Sequence, residues 1–315
     1  MKRIAALMWG AGFSALVTAP MKSNVAALLT GLCLLLAATL ATAEVCVTDD
    51  LDREVCLAVP AERIVALSPG ITELLFAAGA GSRVVGTTSF SDYPPAARDV
   101  PRIGSYKRLD LEALLAAKPD LVVAWISGNP AAQVERLEAM GIPLFWSEQR
   151  NFDAIASSLA RYGRLAGTET VAQAAAAEFR RGVAQLRARH GDAEPVPVFY
   201  QIWEAPLMTV NGEHLISRAF DVCAARNIFA ELPRLTPKID VESVLDRDPE
   251  AILAGGMGEQ NADWLDPWRA YPELQATAMG NLFFVPPSSL QRPTPRILEG
   301  IRLICEHMET VRDRR

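Results

Sequence analysis

Residues 109–123 read LDLEALLAAKPDLVV and residues 239–253 read IDVESVLDRDPEAIL, so one short pattern occurs twice in the chain. The pairs Asp110/Asp240, Glu112/Glu242, Leu115/Leu245 and Pro119/Pro249 are identical, and most other pairs keep their apolar character. Each copy predicts a helix capped by an aspartate, a break at the proline and a buried strand. The two copies therefore predict two similar α/β lobes.

The sequence around the first copy alternates between short apolar runs and helical segments. Strands are expected over 64–67, around 84–86, over 121–125 and from 143, with helices over 71–78, 111–117 and 131–140 and a turn at 68–70. Such alternation is typical of βαβ units and a mostly parallel sheet. A second α/β set is expected to start at Val198, after two prolines.

A different kind of segment lies between the lobes. Residues 169–190 are rich in Ala, Arg, Gln and Glu, and Gly182 is the only strongly helix-disfavouring residue among them. They predict one long helix of about 20 residues, roughly 30 Å in length. The expected organisation is an extension over 44–61, an N-terminal lobe over 62–167, a rigid bridging helix over 168–192 and a C-terminal lobe over 193–315. The two Rossmann-like lobes would enclose a ligand cleft.

The first 43 residues have the pattern of a secretory signal peptide. A lysine precedes an uncharged apolar run over 25–40, and Ala41-Thr42-Ala43 supplies a cleavage site. Met21 is the preferred start, because the segment from there has normal signal-peptide proportions. Cleavage would export the chain to the periplasm and leave 28 basic and 37 acidic residues, a net charge of −9. That acidity argues against a nucleic-acid partner.

Four cysteines remain after cleavage, and an even number in an exported chain favours disulfides. Cys46 and Cys56 bracket a polar stretch that could form a closed turn or hairpin, and a bridge between Cys223 and Cys305 would tie the last helix to the second half. The cysteine spacing fits no zinc pattern, and the three histidines are scattered. We therefore expect no metal site and no resident cofactor.

Catalytic signatures are missing from the sequence, whereas aromatic residues concentrate at predicted strand ends. There is no G-x-S-x-G, P-loop, G-x-G-x-x-G after a strand or H-E-x-x-H, so no catalytic residue is proposed. Ligands of α/β sheets lie beyond the carboxyl ends of the strands, where large rings suit a broad, flat ligand. The residues concerned are Phe90, Tyr93, Tyr106, Trp125, Trp146 and Trp203. Tyr93 and Trp146 are expected to be structural; Arg292 is either a ligand contact or a solvated loop residue.

Glu112 and Glu242 form a repeated pair with two possible explanations. Both occupy the first turn of a predicted helix, where a carboxylate interacts favourably with the helix dipole. The dipole does not explain why both lobes carry the acid at the same position. A protein that docks on a two-fold partner needs one such charge on each lobe, opposite arginines of the partner. We favour docking.

These motifs resemble a known family. The stretch RIVALSPGITELLFAAG from Arg63, SDYPP from Ser91, Lys118-Pro119-Asp120 and Ala124-Trp125 resemble the cobalamin receptors of ABC importers, a branch of the helix-bridged periplasmic binding proteins. DVCAARNIF from Asp221 continues the resemblance, which spans about residues 62–310. It implies two α/β lobes joined by a rigid helix, with limited closure on binding.

The resemblance also implies roles for individual residues. Glu112 and Glu242 match the glutamates that engage the permease dimer, and Cys223–Cys305 matches a disulfide. The implied ligand contacts are Ser68, Pro69, Phe90, Tyr106, Trp125, Trp203 and Arg292. A tryptophan common before the second glutamate is missing from 235–238, Phe90 and Tyr106 replace other aromatic types, and the extension with Cys46 and Cys56 lies outside the family pattern.

The expected function is capture of a corrinoid such as vitamin B12 by a monomeric receptor that serves an inner-membrane ABC importer. Haem or a ferric siderophore is the alternative within the same fold. An exported hydrolase, and a sensor or chaperone module that never meets a permease, are the alternatives from other classes.

Overall fold

The computed structural model describes residues 44–256 and 258–315. Residues Glu44–Arg315 form one compact unit. The predicted signal peptide over 1–43, including the preferred start at Met21, lies outside the described residues. None of the helices in the described part of the chain is long and apolar enough to cross a membrane.

The strands and helices alternate along most of the chain. The strands are β1 Val45–Thr48, β2 Glu54–Leu57, β3 Ile64–Ala66, β4 Val84–Thr87, β5 Gly104–Ser105, β6 Arg108–Leu109, β7 Leu121–Trp125, β8 Leu144–Ser147, β9 Val196–Gln201, β10 Ala225–Asn227, β11 Ala251–Ala254 and β12 Leu282–Phe284. The α-helices are α1 Pro69–Ala77, α2 Leu111–Ala116, α3 Ala131–Ala139, α4 Phe152–Leu165, α5 Glu169–His190, α6 Leu215–Val222, α7 Val241–Arg247, α8 Gln275–Ala278, α9 Pro287–Leu290 and α10 Ile297–Asp313. Short 3₁₀ segments lie at Gly81–Arg83, Pro95–Asp99 and Asp263–Ala270.

Each lobe contains a parallel four-stranded sheet. The N-terminal sheet has the order β4-β3-β7-β8 and the C-terminal sheet the order β10-β9-β11-β12. The inner strands β3 and β11 are buried along their whole length, as expected for sheets with helices on both faces. The predicted pair of α/β lobes is confirmed. Strand β9 starts two residues earlier than expected and includes Pro197.

The repeat found in the sequence is also a repeat in the backbone. Asp110 caps α2 by accepting a hydrogen bond from the Ala113 amide, and Asp240 caps α7 in the same way through Ser243. Lys118 and Asp248, which precede the two prolines, both adopt positive φ angles of 47° and 40°. Each helix leads into a buried inner strand, β7 or β11.

Helix α5 has the predicted bounds and packs against helices of both lobes. Its buried residues Ala172, Ala176, Phe179 and Val183 follow helical spacing along one face. Gly182 gives room to Leu298 on α10: a Cβ there would lie 2.6 Å from Leu298 Cδ1, so that side chain would have to move. Helix α4, which precedes α5 and packs along it, is absent from the sequence prediction.

Both predicted disulfides are formed. Cys46 pairs with Cys56 across the antiparallel strands β1 and β2, and Cys223 is bonded to Cys305 on α10. The hairpin of β1 and β2 covers the edge strand β8: the Asp50 amide donates to the Trp146 carbonyl at 2.9 Å. The extension therefore protects a sheet edge that would otherwise offer unpaired backbone groups.

Candidate functional site

The loops at the carboxyl ends of the N-terminal strands bring together four of the predicted ligand contacts. Ser68 and Pro69 follow β3, Phe90 follows β4, and Trp125 is the last residue of β7. The predicted turn at 68–70 is wrong: Ser68 caps α1 by accepting a hydrogen bond from the Ile71 amide, and Pro69 is the first helical residue. Proline is favoured there because its fixed φ suits the helix and its missing N–H is not needed.

Tyr106 lies in the turn between β5 and β6 and contacts Trp125. The two ring centroids are 5.8 Å apart with an interplanar angle of 52°, within the range of favourable aromatic pairs. Both side chains are half-buried. The pair presents aromatic area on one loop surface of the N-terminal lobe.

Phe90 is the most exposed of the large apolar side chains noted in the described part of the chain, with 71% of its surface accessible. Its φ of 66° lies in the left-handed region, which is uncommon for a bulky residue. Strained backbone of this kind persists only where surrounding contacts hold it, and it is concentrated at functional sites. The exposed ring and the constrained backbone together mark Phe90 as a candidate contact.

Trp203 is the aromatic residue that the C-terminal lobe contributes. It follows β9, is 43% exposed and packs edge-on against Trp264, with ring centroids 5.7 Å apart. Its indole Nε1 donates to the Ala205 carbonyl at 3.1 Å, which fixes the ring on its loop. Trp264 was not anticipated from the sequence, since its partner lies 61 positions away in the chain.

Arg292 follows α9 in the C-terminal lobe, and its guanidinium reaches the N-terminal lobe. Nη1 lies 2.8 Å from both Glu73 Oε1 and Asp92 Oδ1, and Nη2 donates to the Phe90 carbonyl at 3.1 Å. The interpretation of Arg292 as a solvated loop residue is wrong, because only 17% of its side chain is exposed. Its predicted contact with a ligand remains a prediction.

Glu73 is the centre of a network that joins the lobes. It is almost fully buried on α1 and also accepts from Thr294 Oγ1 at 2.9 Å and from Arg296 Nη1 at 3.1 Å. Burial raises the pKa of the Glu73 carboxyl in spite of its arginine partners. Burial is the largest influence on the Asp92 carboxyl and acts to raise its pKa, but the hydrogen bond and charge of Arg292, a backbone hydrogen bond and the charge of Arg296 together lower the pKa.

The two predicted structural aromatics are found in packing positions. Trp146 is buried in the core of the N-terminal lobe. The Tyr93 ring lies under the guanidinium of Arg296, whose Cζ is 4.0 Å from the ring centroid, and so belongs to the contact between the lobes. Sequence reasoning missed Glu73, although an isolated acid inside the apolar run ITELLF was a signal.

Glu112 and Glu242 are exposed in the first turns of α2 and α7. Neither carboxylate is ion-paired with a basic side chain of the described residues. The two acids therefore occupy equivalent positions on the two lobes and are available to a partner.

The histidines all lie in structural positions. His190 pairs with Glu309 at 3.0 Å, His214 caps α6, and His307 stacks on Phe283 with ring centroids 4.3 Å apart. Within the described residues, the one group of three potential metal ligands is Glu44, Cys46 and Cys56, and its two sulfurs are bonded to each other. Because these two sulfurs form a disulfide, the group offers no thiolate ligand.

The chain belongs to the periplasmic binding protein family, whose family model, described as "Periplasmic binding protein", matches residues 64–288. A vitamin B12-binding protein of Vibrio campbellii (strain ATCC BAA-1116) is 34% identical over 256 residues, covering 81% of this chain and 92% of the relative. A vitamin B12-binding protein of Yersinia pestis (strain Pestoides F) is 34% identical over 251 residues, covering 80% and 88%. The predicted class, a binding protein and not an enzyme, is confirmed.

Solved structures confirm the two-lobed fold. The periplasmic vitamin B12 binding protein BtuF of Vibrio cholerae gives a TM-score of 0.74 at 32% identity, covering 80% of this chain and 98% of that one. The periplasmic heme-binding protein BhuT, in complex with two hemes, gives a TM-score of 0.71 at 18% identity, covering 79% and 98%. The second likeness shows the fold alone, so the ligand has to be inferred from the residues of the site.

Proposed function

We propose that this protein captures a corrinoid, with vitamin B12 as the first candidate, between its two lobes. The observation that carries the proposal is the set of aromatic side chains on strand-end loops of both lobes: Phe90, Tyr106 and Trp125 on one, Trp203 on the other. Large rings bind a broad macrocycle through apolar area without needing a matching charge. The relatives named as vitamin B12-binding proteins support this choice.

The placement of polar groups favours a corrinoid over the alternatives within the fold. Haem sites commonly supply an axial histidine or tyrosine. The three histidines of this chain are in structural positions, and Tyr106, the tyrosine of the proposed surface, packs against Trp125. Ferric siderophores are anionic and favour arginines. Arg292, the arginine predicted to contact the ligand, is engaged by Glu73 and Asp92. Ser68 and Pro69 complete the proposed contact surface on the N-terminal lobe.

The proposal includes export and delivery. A signal peptide over residues 1–43 would direct the chain to the periplasm, leaving the extension over 44–61, the lobes over 62–167 and 193–315, and the bridging segment 168–192. The loaded receptor, a monomer, would then dock on the permease dimer of an inner-membrane ABC importer through Glu112 and Glu242. One exposed carboxylate per lobe suits a partner with two-fold symmetry.

An equilibrium titration tests the proposed ligand. Residues 44–315 are purified with both disulfides intact, and tryptophan fluorescence is followed during addition of cyanocobalamin, haemin or a ferric siderophore. We expect saturable quenching by cyanocobalamin at micromolar or lower concentration. Saturable binding of haemin without binding of cyanocobalamin would contradict the proposal.

A further inference from the structure

Asn129 connects three loops that carry proposed ligand contacts. It lies between β7 and α3 and is 7% exposed. Its Oδ1 accepts a hydrogen bond from the Trp125 amide at 2.6 Å, and its Nδ2 donates to the Leu67 carbonyl at 2.9 Å and to the Tyr106 carbonyl at 3.0 Å. Leu67 immediately precedes Ser68. One carboxamide therefore holds the loops of Ser68, Tyr106 and Trp125 at fixed separations.

The segment between Trp125 and Asn129 also sets the orientation of the indole ring. The Asn129 amide donates to the Trp125 carbonyl at 3.0 Å and closes a tight turn. The Trp125 ring lies directly on Gly128: a Cβ there would be 1.9 Å from ring atom Cε3 and 2.1 Å from Cζ3. Only a glycine leaves room for the ring in this position, so the turn and the indole are packed as one unit.

We propose that Asn129 is the positioning residue for the N-terminal half of the ligand surface, and that Gly128 sets the plane of the Trp125 ring. This inference rests on the proposed binding function. Asn129 is not proposed to touch the ligand. It acts by fixing the distance between Tyr106 and Trp125, and by fixing the start of α1 relative to both. Binding surfaces that are held in place before the ligand arrives lose less conformational entropy on binding.

Asn129→Asp is the most informative substitution because it changes chemistry with little change in size. The carboxylate oxygen that replaces Nδ2 faces the carbonyl oxygens of Leu67 and Tyr106, so two hydrogen bonds become two repulsive contacts. The loops of Ser68 and Tyr106 are then released while the bond to the Trp125 amide can persist. We expect the affinity for cyanocobalamin to fall about tenfold or more.

The chain contains a matched control in the other lobe. Asn227 at the end of β10 is also 7% exposed and also makes three side-chain hydrogen bonds. Its Nδ2 donates to the Val210 carbonyl and to Ser217 Oγ, both at 2.8 Å, and its Oδ1 accepts from the Phe229 amide at 2.9 Å. None of these partners is a proposed ligand contact. Asn227→Asp therefore changes a buried, hydrogen-bonded carboxamide in the other lobe without disturbing the ligand surface.

The experiment compares wild type, Asn129→Asp, Asn227→Asp and Gly128→Ala, each as residues 44–315. Urea unfolding gives stability and a cyanocobalamin titration gives Kd. We expect weakened binding in Asn129→Asp and Gly128→Ala, a shifted tryptophan emission maximum in Gly128→Ala, and a Kd within about twofold of wild type in Asn227→Asp. If Asn129→Asp does not fold, the Kd of Gly128→Ala for cyanocobalamin tests the proposal.

The possible failures are distinguishable. Absence of cyanocobalamin binding by the wild type would overturn the proposed function itself. If the wild type binds cyanocobalamin, two results would overturn the positioning role and leave the proposed function in place. One is an unchanged Kd in Gly128→Ala, and the other is an equal loss of affinity in Asn129→Asp and Asn227→Asp.

Discussion

The two copies of the repeat, residues 109–123 and 239–253, are alike on one side and different on the other. The helix side, formed by α2 and α7 with their caps, is alike in both lobes, whereas the strand side, formed by the loops that follow the strands, differs. Both copies have an aspartate cap, an exposed glutamate in the first turn and a positive φ before the proline. Beyond the strands the lobes diverge. Strand β7 ends at Trp125 and is followed by the Asn129 turn, whereas β11 ends at Ala254 and is followed by Gly255 and Gly256. The C-terminal lobe supplies its exposed aromatic residue from the loop after β9 instead.

Under the proposed function, this difference separates two surfaces with two kinds of partner. A two-fold permease dimer would require equivalent features on both lobes, and the helix side has them. A corrinoid has no two-fold symmetry, so the strand-end loops are free to differ. Substitutions on each side test whether the repeated helix side and the divergent strand side have these separate functions.

Loss of both glutamates is expected to have the largest effect. In Glu112→Ala/Glu242→Ala, uptake of cobalamin in a transport-dependent strain should fall to background, because each lost charge pair costs about 2 kcal/mol or more. The Kd for cyanocobalamin should stay at the wild-type value. Asp246→Ala is the control, since this exposed acid shares α7 with Glu242 but has no counterpart in the other lobe. Normal uptake by the double variant would remove the docking role.

The two disulfides are expected to stabilise the protein unequally. Cys223–Cys305 closes a separation of 82 residues and Cys46–Cys56 one of 10. From chain entropy, replacing the first pair with alanine should cost about 4 to 5 kcal/mol of unfolding free energy and replacing the second about 3 kcal/mol. Urea unfolding under oxidising conditions measures both. Equal losses of unfolding free energy in the two variants would show that the long-range bridge does not dominate the stability of the C-terminal lobe.

Aromatic residues on both lobes should contribute to affinity. Trp125→Ala and Trp203→Ala are each expected to raise the Kd for cyanocobalamin about 30- to 100-fold, the loss typical of a central aromatic contact. Trp146→Phe serves as the control, because this tryptophan is buried in the core of the N-terminal lobe. A change confined to Trp125 would indicate that the ligand binds to one lobe only.

The smallest effect concerns a difference between helix caps. Ser68 caps α1 with a hydroxyl, whereas His214 caps α6 by accepting from the Ile216 amide at 3.1 Å. Burial lowers the pKa of His214 to about 4. The unfolded chain binds this proton near pH 6.5, so the stabilising neutral form is complete above that pH and is lost progressively as the pH falls towards 4.

Unfolding free energies of wild type and His214→Asn at pH 7 and pH 4.5 measure this contribution. Asparagine keeps the capping acceptor but does not titrate. The wild type should lose about 2 kcal/mol more than the variant over this interval. Identical pH dependence in the two proteins would show that the cap is insensitive to protonation.

Much of the fold could be read from the sequence because its signals are local. The aspartate caps, the proline breaks and the composition of α5 predicted elements that the structure reproduces closely. Helix α4 was missed although Asn151 caps it and Ile155, Leu159 and Tyr162 give it a buried face. The cap and the helical spacing of these apolar residues are both visible in the sequence, so this helix could have been predicted.

Other features could not be derived because they depend on contacts between distant parts of the chain. Glu73 meets Arg292 across 219 positions, and Trp203 meets Trp264 only once the C-terminal lobe has folded. Asn129 forms its bonds to Leu67 and Tyr106 through the tertiary arrangement of three loops. The sequence indicated the candidate aromatic contacts but not the residues that hold these side chains in place.

A crystal structure of residues 44–315 with cyanocobalamin tests the division between the two surfaces most directly. The corrin ring should lie between the lobes against Trp125 and Trp203, with Glu112 and Glu242 exposed and away from the ligand. A ligand bound on the helix side, or contacts to either glutamate, would contradict this division.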